Sequence, residues 1–151
     1  MQIIEPSSAE DFRQYYDLRW RILRAPWNQP RGSECDPLDE GSTHLMLVDA
    51  GGKPLAAGRL HFNTIREAQV RYMAVDLAHQ RSGLGSRLLA ALEQRALTLG
   101  AAVIVLDARE TALGFYRKHG YQIRGSGYML FNCIAHVRMS KALGTSAAQG
   151  K

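Results

Sequence analysis

The sequence predicts a mixed α/β fold in a single domain: a central sheet that opens with antiparallel strands, continues through a βαβ crossover and is flanked by helices. Three observations predict it. Three strand-like runs, residues 44–50, 55–63 and 69–76, follow one another with only short turns between them, the signature of antiparallel neighbours. A helix-period stretch at 84–99 then leads into the continuously apolar Ala102 to Leu106, as a strand covered on both faces requires. Finally, 151 residues is the usual size of one domain.

The elements follow in order. Gln2 to Glu5 reads as a short strand, and Ser7-Ser8-Ala9-Glu10 as a capping box with Ser7 capping and Glu10 reaching back. Phe12, Tyr15, Tyr16, Ile22 and Leu23 recur at helical spacing, which gives a helix from about Ser8 to Leu23. Arg19 falls on that apolar face and needs a partner there, a structural carboxylate before an anionic ligand. Residues 24–43, with three prolines, two glycines and four acids, form a long irregular segment, and such segments are often functional. Gly51-Gly52-Lys53 turns the first hairpin. Leu84, Leu88, Ala91, Leu92, Ala96 and Leu99 mark a helix of about four turns ended by Gly100. Thr111 caps a short helix running to His119 and closed by Gly120. Two strands, Tyr121 to Arg124 and Tyr128 to Met139, flank a Gly125-Ser126-Gly127 turn. The domain therefore spans 1–143, and the small, polar residues 144–151 read as a flexible tail.

Composition narrows the function. No apolar stretch approaches the roughly 20 residues of a membrane span, and the N-terminus lacks a basic head followed by a long apolar run, so the cytoplasm is the expected compartment. Cys35 and Cys133 form no CxxC or Cys/His cluster, and the five histidines show no ligand spacing, so two reduced thiols and no metal are expected. The net charge of +5 is scattered rather than striped, which argues against nucleic acid as a partner and suits an anionic small ligand.

The chemistry concentrates in Gln80-Arg81-Ser82-Gly83-Leu84-Gly85-Ser86, between a strand and the long helix. Glycine allows close backbone approach, and the first N–H groups of a helix, with its dipole, make an anion site. A plain tight turn, a dinucleotide turn and an acyl-CoA pyrophosphate loop compete for this segment. A dinucleotide turn wants a third glycine where Leu88 stands, and a P-loop wants Gly-Lys-Ser/Thr, which is absent.

The flanks decide. Gln80-x-x-Gly83-x-Gly85 matches the Q/R-x-x-G-x-G/A signature of the GNAT superfamily of N-acetyltransferases. Tyr72-Met73-Ala74-Val75-Asp76 resembles its fourth strand, Val103 to Asp107 its fifth, and Ala112 to Tyr121 its A-x-x-FY-x-x-x-GF/Y segment. The resemblance covers most of residues 1–140. It implies acetyl-CoA as cofactor, with the pantetheine arm on main-chain groups of Met73, Ala74 and Val75 and the pyrophosphate on Gln80, Arg81, Ser82, Gly83, Leu84, Gly85 and Ser86. It also places Phe115 and Arg109 beside the cofactor, although Arg109 replaces a common asparagine and contacts either CoA or the acceptor. Tyr116 matches the tyrosine that protonates the departing thiolate in many members. The cleft between strands four and five is where the amine and the thioester are expected to meet. No acid lies on Gln69 to Val75, where many relatives carry a glutamate base, which leaves Glu34, Asp36, Asp39 and Glu40 of the irregular segment as candidates.

A narrower likeness runs from Tyr15 to Pro26 and from Asn28 to Glu34. It is similar to the acetyltransferase-like domain of bacterial bifunctional proteins fused to a hotdog thioesterase. It adds Arg19, Arg24, Trp27, Glu34 and Asp36 as acceptor-pocket candidates. The expected function is N-acetyl transfer to a primary amine of a small molecule or peptide in a ternary complex, with a homodimer possible in this family. The alternatives are a non-catalytic acyl-CoA-binding module, as a partner of a separate thioesterase, or transfer to a hydroxyl or an acyl-carrier protein.

Overall fold

The computed structural model describes residues 1–131 and 133–144, so the predicted tail lies, apart from Gly144, outside the described residues. Seven strands form one sheet in the order β1-β2-β3-β4-β5-β7-β6. They are β1 Gln2–Ile4, β2 Thr43–Val48, β3 Pro54–Phe62, β4 Glu67–Val75, β5 Val103–Arg109, β6 Gln122–Leu130 and β7 Ile134–Ala142. Among the described residues three helices, α1 Ala9–Leu23, α2 Leu84–Thr98 and α3 Leu113–Lys118, complete the expected element order. The mixed sheet bears out the predicted fold class. β1, β2 and β3 pair antiparallel, and β4-α2-β5 is the crossover that makes β4 and β5 parallel.

The chain forms two compact units. The first comprises Met1–His61 and Tyr72–Gln94, the second Phe62–Arg71 and the chain from Arg95 onward. In the first, the apolar stripe of α1 puts Tyr15 and Leu18 against Met46, Val48 and Ala57, all nearly inaccessible, with Ile4, Phe12, Tyr16 and Ile22 around them. The cap of α1 differs from the expectation by one residue. Ser8 accepts from the Asp11 amide at 3.0 Å, and the Asp11 carboxylate, not Glu10, reaches back to the amides of Ser7 and Ser8. The box keeps its three-residue spacing and lies one residue later, on Ser8 and Asp11. Glu10 instead pairs with Arg13 on the surface. Irregular residues 24–43 contain two short 3₁₀ turns, Ala25–Trp27 and Pro37–Asp39.

In the second unit, β5 pairs with β4 over three residues, Glu67 to Gln69 against Val103 to Val105, and with β7 along all seven of its own. Two expectations fail there. Thr111 caps nothing: it lies inside a 3₁₀ turn, Glu110–Ala112, and α3 starts after Ala112 with no side-chain cap. The Gly125-Ser126-Gly127 triplet is not a hairpin turn. β6 runs straight through it with two bulges against β7, and the reversal comes after Leu130, where the Cys133 amide bonds the Leu130 carbonyl. Glycine signals an irregular backbone, and a bulge satisfies that signal as well as a turn does.

Candidate functional site

β4 ends at Val75, and Asp76 caps the next turn by accepting from the Ala78 amide at 3.0 Å. The Gln80 side chain folds back and donates to the Val75 carbonyl at 3.1 Å, and the Ser82 hydroxyl donates to the His79 carbonyl. The main chain then enters left-handed conformation twice, at Arg81 (φ 68°) and Gly83 (φ 85°). The first i→i−4 bond of α2 is Arg87 N–H to the Gly83 carbonyl, 3.1 Å, so the amides of Gly83, Leu84 and Gly85 precede the helical ladder and have no acceptor within it. Arg81, Ser82 and Gly83 are exposed while Leu84 is buried and pins the helix start to the core. Exposed amide donors, a positive helix end and one arginine fit a diphosphate. Met73 and Val75 are half-buried on β4, and Ala74 is buried.

Tyr72, just before this backbone, holds φ 58° in mid-strand, a conformation that costs a side-chain residue of order 1–3 kcal/mol. It sits inside a charged cluster that the sequence did not reveal. The Arg19 guanidinium lies 3.9 Å from its ring centroid, that of Arg59 4.9 Å and that of Arg24 5.5 Å, and the phenol donates to Asp36 at 3.4 Å. Arg19 and Arg59 are wholly buried. Asp39 serves both: its Oδ1 is 2.9 Å from Arg19 and 3.0 Å from Arg59, and Arg59 also meets Asp36 at 2.5 Å. Arg19 additionally donates to the Glu34 carbonyl. Arg24 donates to the Ser33 carbonyl at 2.9 Å. His44 bonds the Asp39 carbonyl through Nε2 and faces the Tyr15 hydroxyl through Nδ1, both at 2.8 Å, and burial holds its pKa below the usual histidine value. Burial opposes ionisation of Asp39, but the hydrogen bonds from Arg19, from the Asp36 amide and from Arg59 outweigh it and hold the carboxyl below its ordinary range.

Arg19, Arg24, Glu34 and Asp36 are thus brought together, as cross-links between α1, residues 24–43 and the strands. The Glu34 carboxylate accepts from the Gly32 amide at 2.8 Å, and Glu40 is exposed. Trp27 is exposed. The partner Arg59 gave no periodic or motif signal, since an arginine in an apolar strand reads as an interruption, and Tyr72 stood in the strand likeness without pointing to this cluster. A cleft of about 300 Å³ beside α1, lined by Arg13, Asp17, Arg21 and Lys53 among others, contains none of the motif residues.

In the second unit, Tyr116 on α3 is buried, with Phe115 and Tyr121 rings 5.0 and 5.7 Å from its own. Burial alone pushes its phenol up to about 12, so it is protonated at neutral pH. Phe115 and Arg109 are half-buried. β4 begins two residues earlier than expected and so does include an acid, Glu67, whose carboxylate accepts from the Asn63 amide group at 2.9 Å. Among the described residues no His, Cys, Asp or Glu cluster could hold a metal ion, and no helix is long and apolar enough to cross a membrane. Both cysteines are free.

Comparison with known proteins gives the family and agrees with the fold. The family model for the Acetyltransferase (GNAT) family matches residues 12–121. The uncharacterised N-acetyltransferase YjcF of Bacillus subtilis is 29% identical over 93% of this chain and 99% of its own length. An acyl-CoA N-acyltransferase from Pseudomonas aeruginosa superposes with TM-score 0.79 at 22% identity, covering 93% of this chain and 97% of its own. An aminoglycoside 6'-N-acetyltransferase solved with coenzyme A superposes with TM-score 0.78 at 18% identity, covering 95% and 97%. These comparisons do not carry the narrower likeness to thioesterase-fused proteins. With the family match spanning most of the chain, the protein is a member of the GNAT acetyltransferase family and an acyltransferase.

Proposed function

We propose that this acyltransferase moves an acetyl group from acetyl-CoA to a primary amine of a small molecule or peptide, by direct transfer in a ternary complex. The observation that carries the reading is the turn 81–86, where amide donors at the opening of α2 combine with the family signature Gln80, Gly83, Gly85. Arg81, Ser82, Gly83, Leu84, Gly85 and Ser86 hold the diphosphate, while Met73, Ala74 and Val75 offer main-chain groups to the pantetheine arm. Residues 1–143 constitute the catalytic domain, and the cytoplasm is its working compartment.

Acetyl-CoA supplies an activated thioester carbonyl. The Met73 and Val75 amides stabilise negative charge on that carbonyl oxygen during attack. The new nitrogen–carbon bond forms as the carbon–sulfur bond breaks. The ammonium form of the acceptor loses one proton to solvent before attack and the nitrogen a second after it. Tyr116 gives its own proton to the departing sulfur, and solvent then returns a proton to the phenolate. The buried phenol is protonated at neutral pH, so its proton is present when thiolate charge develops. Phe115 and Arg109 shape the surroundings of the arm. Arg19, Arg24, Trp27, Glu34 and Asp36 frame the acceptor side, Arg19 and Asp36 through the buried cluster.

Calorimetry with CoA and acetyl-CoA, followed by CoA release over an amine panel, tests the reading. Binding with turnover supports it. Binding without turnover on any amine returns the chain to an acyl-CoA-binding module, and no binding removes the cofactor assignment.

A further inference from the structure

The second unit carries a polar strip of which the reading so far uses only Arg109. Val105, Asp107 and Arg109 alternate onto one face of β5, and their partners on β7, Ser140, Arg138 and His136, lie on the same face. Gln69 is the β4 partner of Val105, so Arg71, two residues on, joins them. Tyr128 of β6 stacks on His136 at 4.2 Å with rings 13° apart, and the Arg71 guanidinium lies 5.6 Å from the Tyr128 ring. Arg124 of β6 donates to Ser140 Oγ at 2.7 Å. Four guanidinium groups therefore share this face with two carboxylates, Asp107 and, at its far end, Glu67.

Asp107 is the unusual member. Its side chain is 7% exposed, and Arg138 Nε sits 3.1 Å from Oδ1. That is an ion-pair distance without hydrogen-bond alignment, so Oδ1 is a buried acceptor with no donor directed at it. Such groups are rare, and a donor from a bound molecule would satisfy it. Space for Asp107 is kept by Gly127: a Cβ there would fall 2.7 Å from Oδ1 and 3.1 Å from the His136 carbonyl carbon. β5 leaves this face at Arg109, and the chain passes through the turn 110–112 directly into α3, which carries Tyr116.

We propose that the strip selects an acceptor amine that carries its own anionic group, a carboxylate or phosphate, with Arg71 and Arg109 taking the anion and Asp107 Oδ1 the ammonium. This rests on the acetyltransferase reading and sharpens its substrate class. A surplus of guanidinium charge repels polycations, so polyamines and aminoglycosides are poor acceptors despite the shared fold of an aminoglycoside-modifying enzyme.

The test compares amines that differ only in the anion: an amino acid against its amide, an aminoalkyl phosphonate against the alkylamine, and spermidine as the polycation. CoA release is expected to show kcat/KM at least about tenfold higher for the anion-bearing member, the size of one charge-assisted contact. The carboxylate and phosphonate pairs identify which anion is preferred. Arg71→Gln is expected to collapse the preference mainly through acceptor KM, and Arg71→Lys to retain part of it. Arg109→Gln joins the collapse, with acetyl-CoA KM reported alongside to assign it to the acceptor. Turnover that favours neutral or polycationic amines, or a preference untouched by both glutamine variants, overturns the strip while leaving acetyl transfer standing. If CoA itself fails to bind, the transferase reading falls. Calorimetry of the amino acid and the phosphonate on wild type and Arg71→Gln then decides the strip alone: binding lost in the variant supports it, and no binding to wild type overturns it.

Discussion

Replacing Asp39 by alanine should be among the most damaging single changes outside the apolar core. Its carboxylate lies 2.9 Å from one guanidinium and 3.0 Å from another, and both arginines are completely inaccessible. It also accepts from the Asp36 amide at 2.8 Å, which closes the turn Pro37–Asp39. Alanine leaves the buried Arg19 with the Glu34 carbonyl and the buried Arg59 with the Asp36 carboxylate. Removing one partner of a buried pair costs about 3–5 kcal/mol, because the other charge stays desolvated. For a domain of this size 1 kcal/mol moves Tm by about 2–4 °C, so a fall of about 6–20 °C is expected at pH 7. Thermal unfolding followed by circular dichroism reads it, with Glu10→Gln at the exposed Arg13 pair as a control that barely moves Tm. The pH dependence has a definite sign. The folded-state pKa of Asp39 is depressed, so its contribution is present above the unfolded value near 3.9 and is lost as pH falls through the folded one. The difference between variant and wild type should therefore shrink below about pH 4. An Asp39→Ala shift no larger than that of the surface control, or a difference that persists unchanged in acid, would refute the reasoning.

Two further outcomes follow from the cofactor reading. Tyr116→Phe removes the proton donor while keeping the ring packed against Phe115 and Tyr121, so kcat should fall about 10²- to 10⁴-fold with acetyl-CoA affinity nearly unchanged in calorimetry. Gly83→Ala has room for its methyl but must hold φ 85°, a cost of about 1–2 kcal/mol, so CoA binding should weaken by roughly tenfold with little loss of Tm in so exposed a loop.

Much of this was legible before any coordinates. Hydrophobic period separated α1 and α2 from the strands, because the helical spacing of Phe12 and Tyr15, or of Leu88 and Leu92, is what a one-sided core demands. Local chemistry was less decisive. Ser7 and Ser8 are equally good caps, and only the reach of Asp11 chose between them. The Gly125–Gly127 triplet announced an irregular backbone without saying whether the chain would turn or bulge.

Local order in the sequence therefore determined the element succession and carried the family signature at 80–86 and 112–121, since each depends on residues close together in the chain. Tertiary structure alone decided the Arg19–Asp39–Arg59–Tyr72 cluster and the strip joining Arg71, Asp107, Tyr128 and His136. Ion pairs, ring stacks and strand register act between residues brought near by folding, mostly over separations of 20 and more positions and, for the Tyr128–His136 stack, across one hairpin, and no spacing rule within a single segment records them.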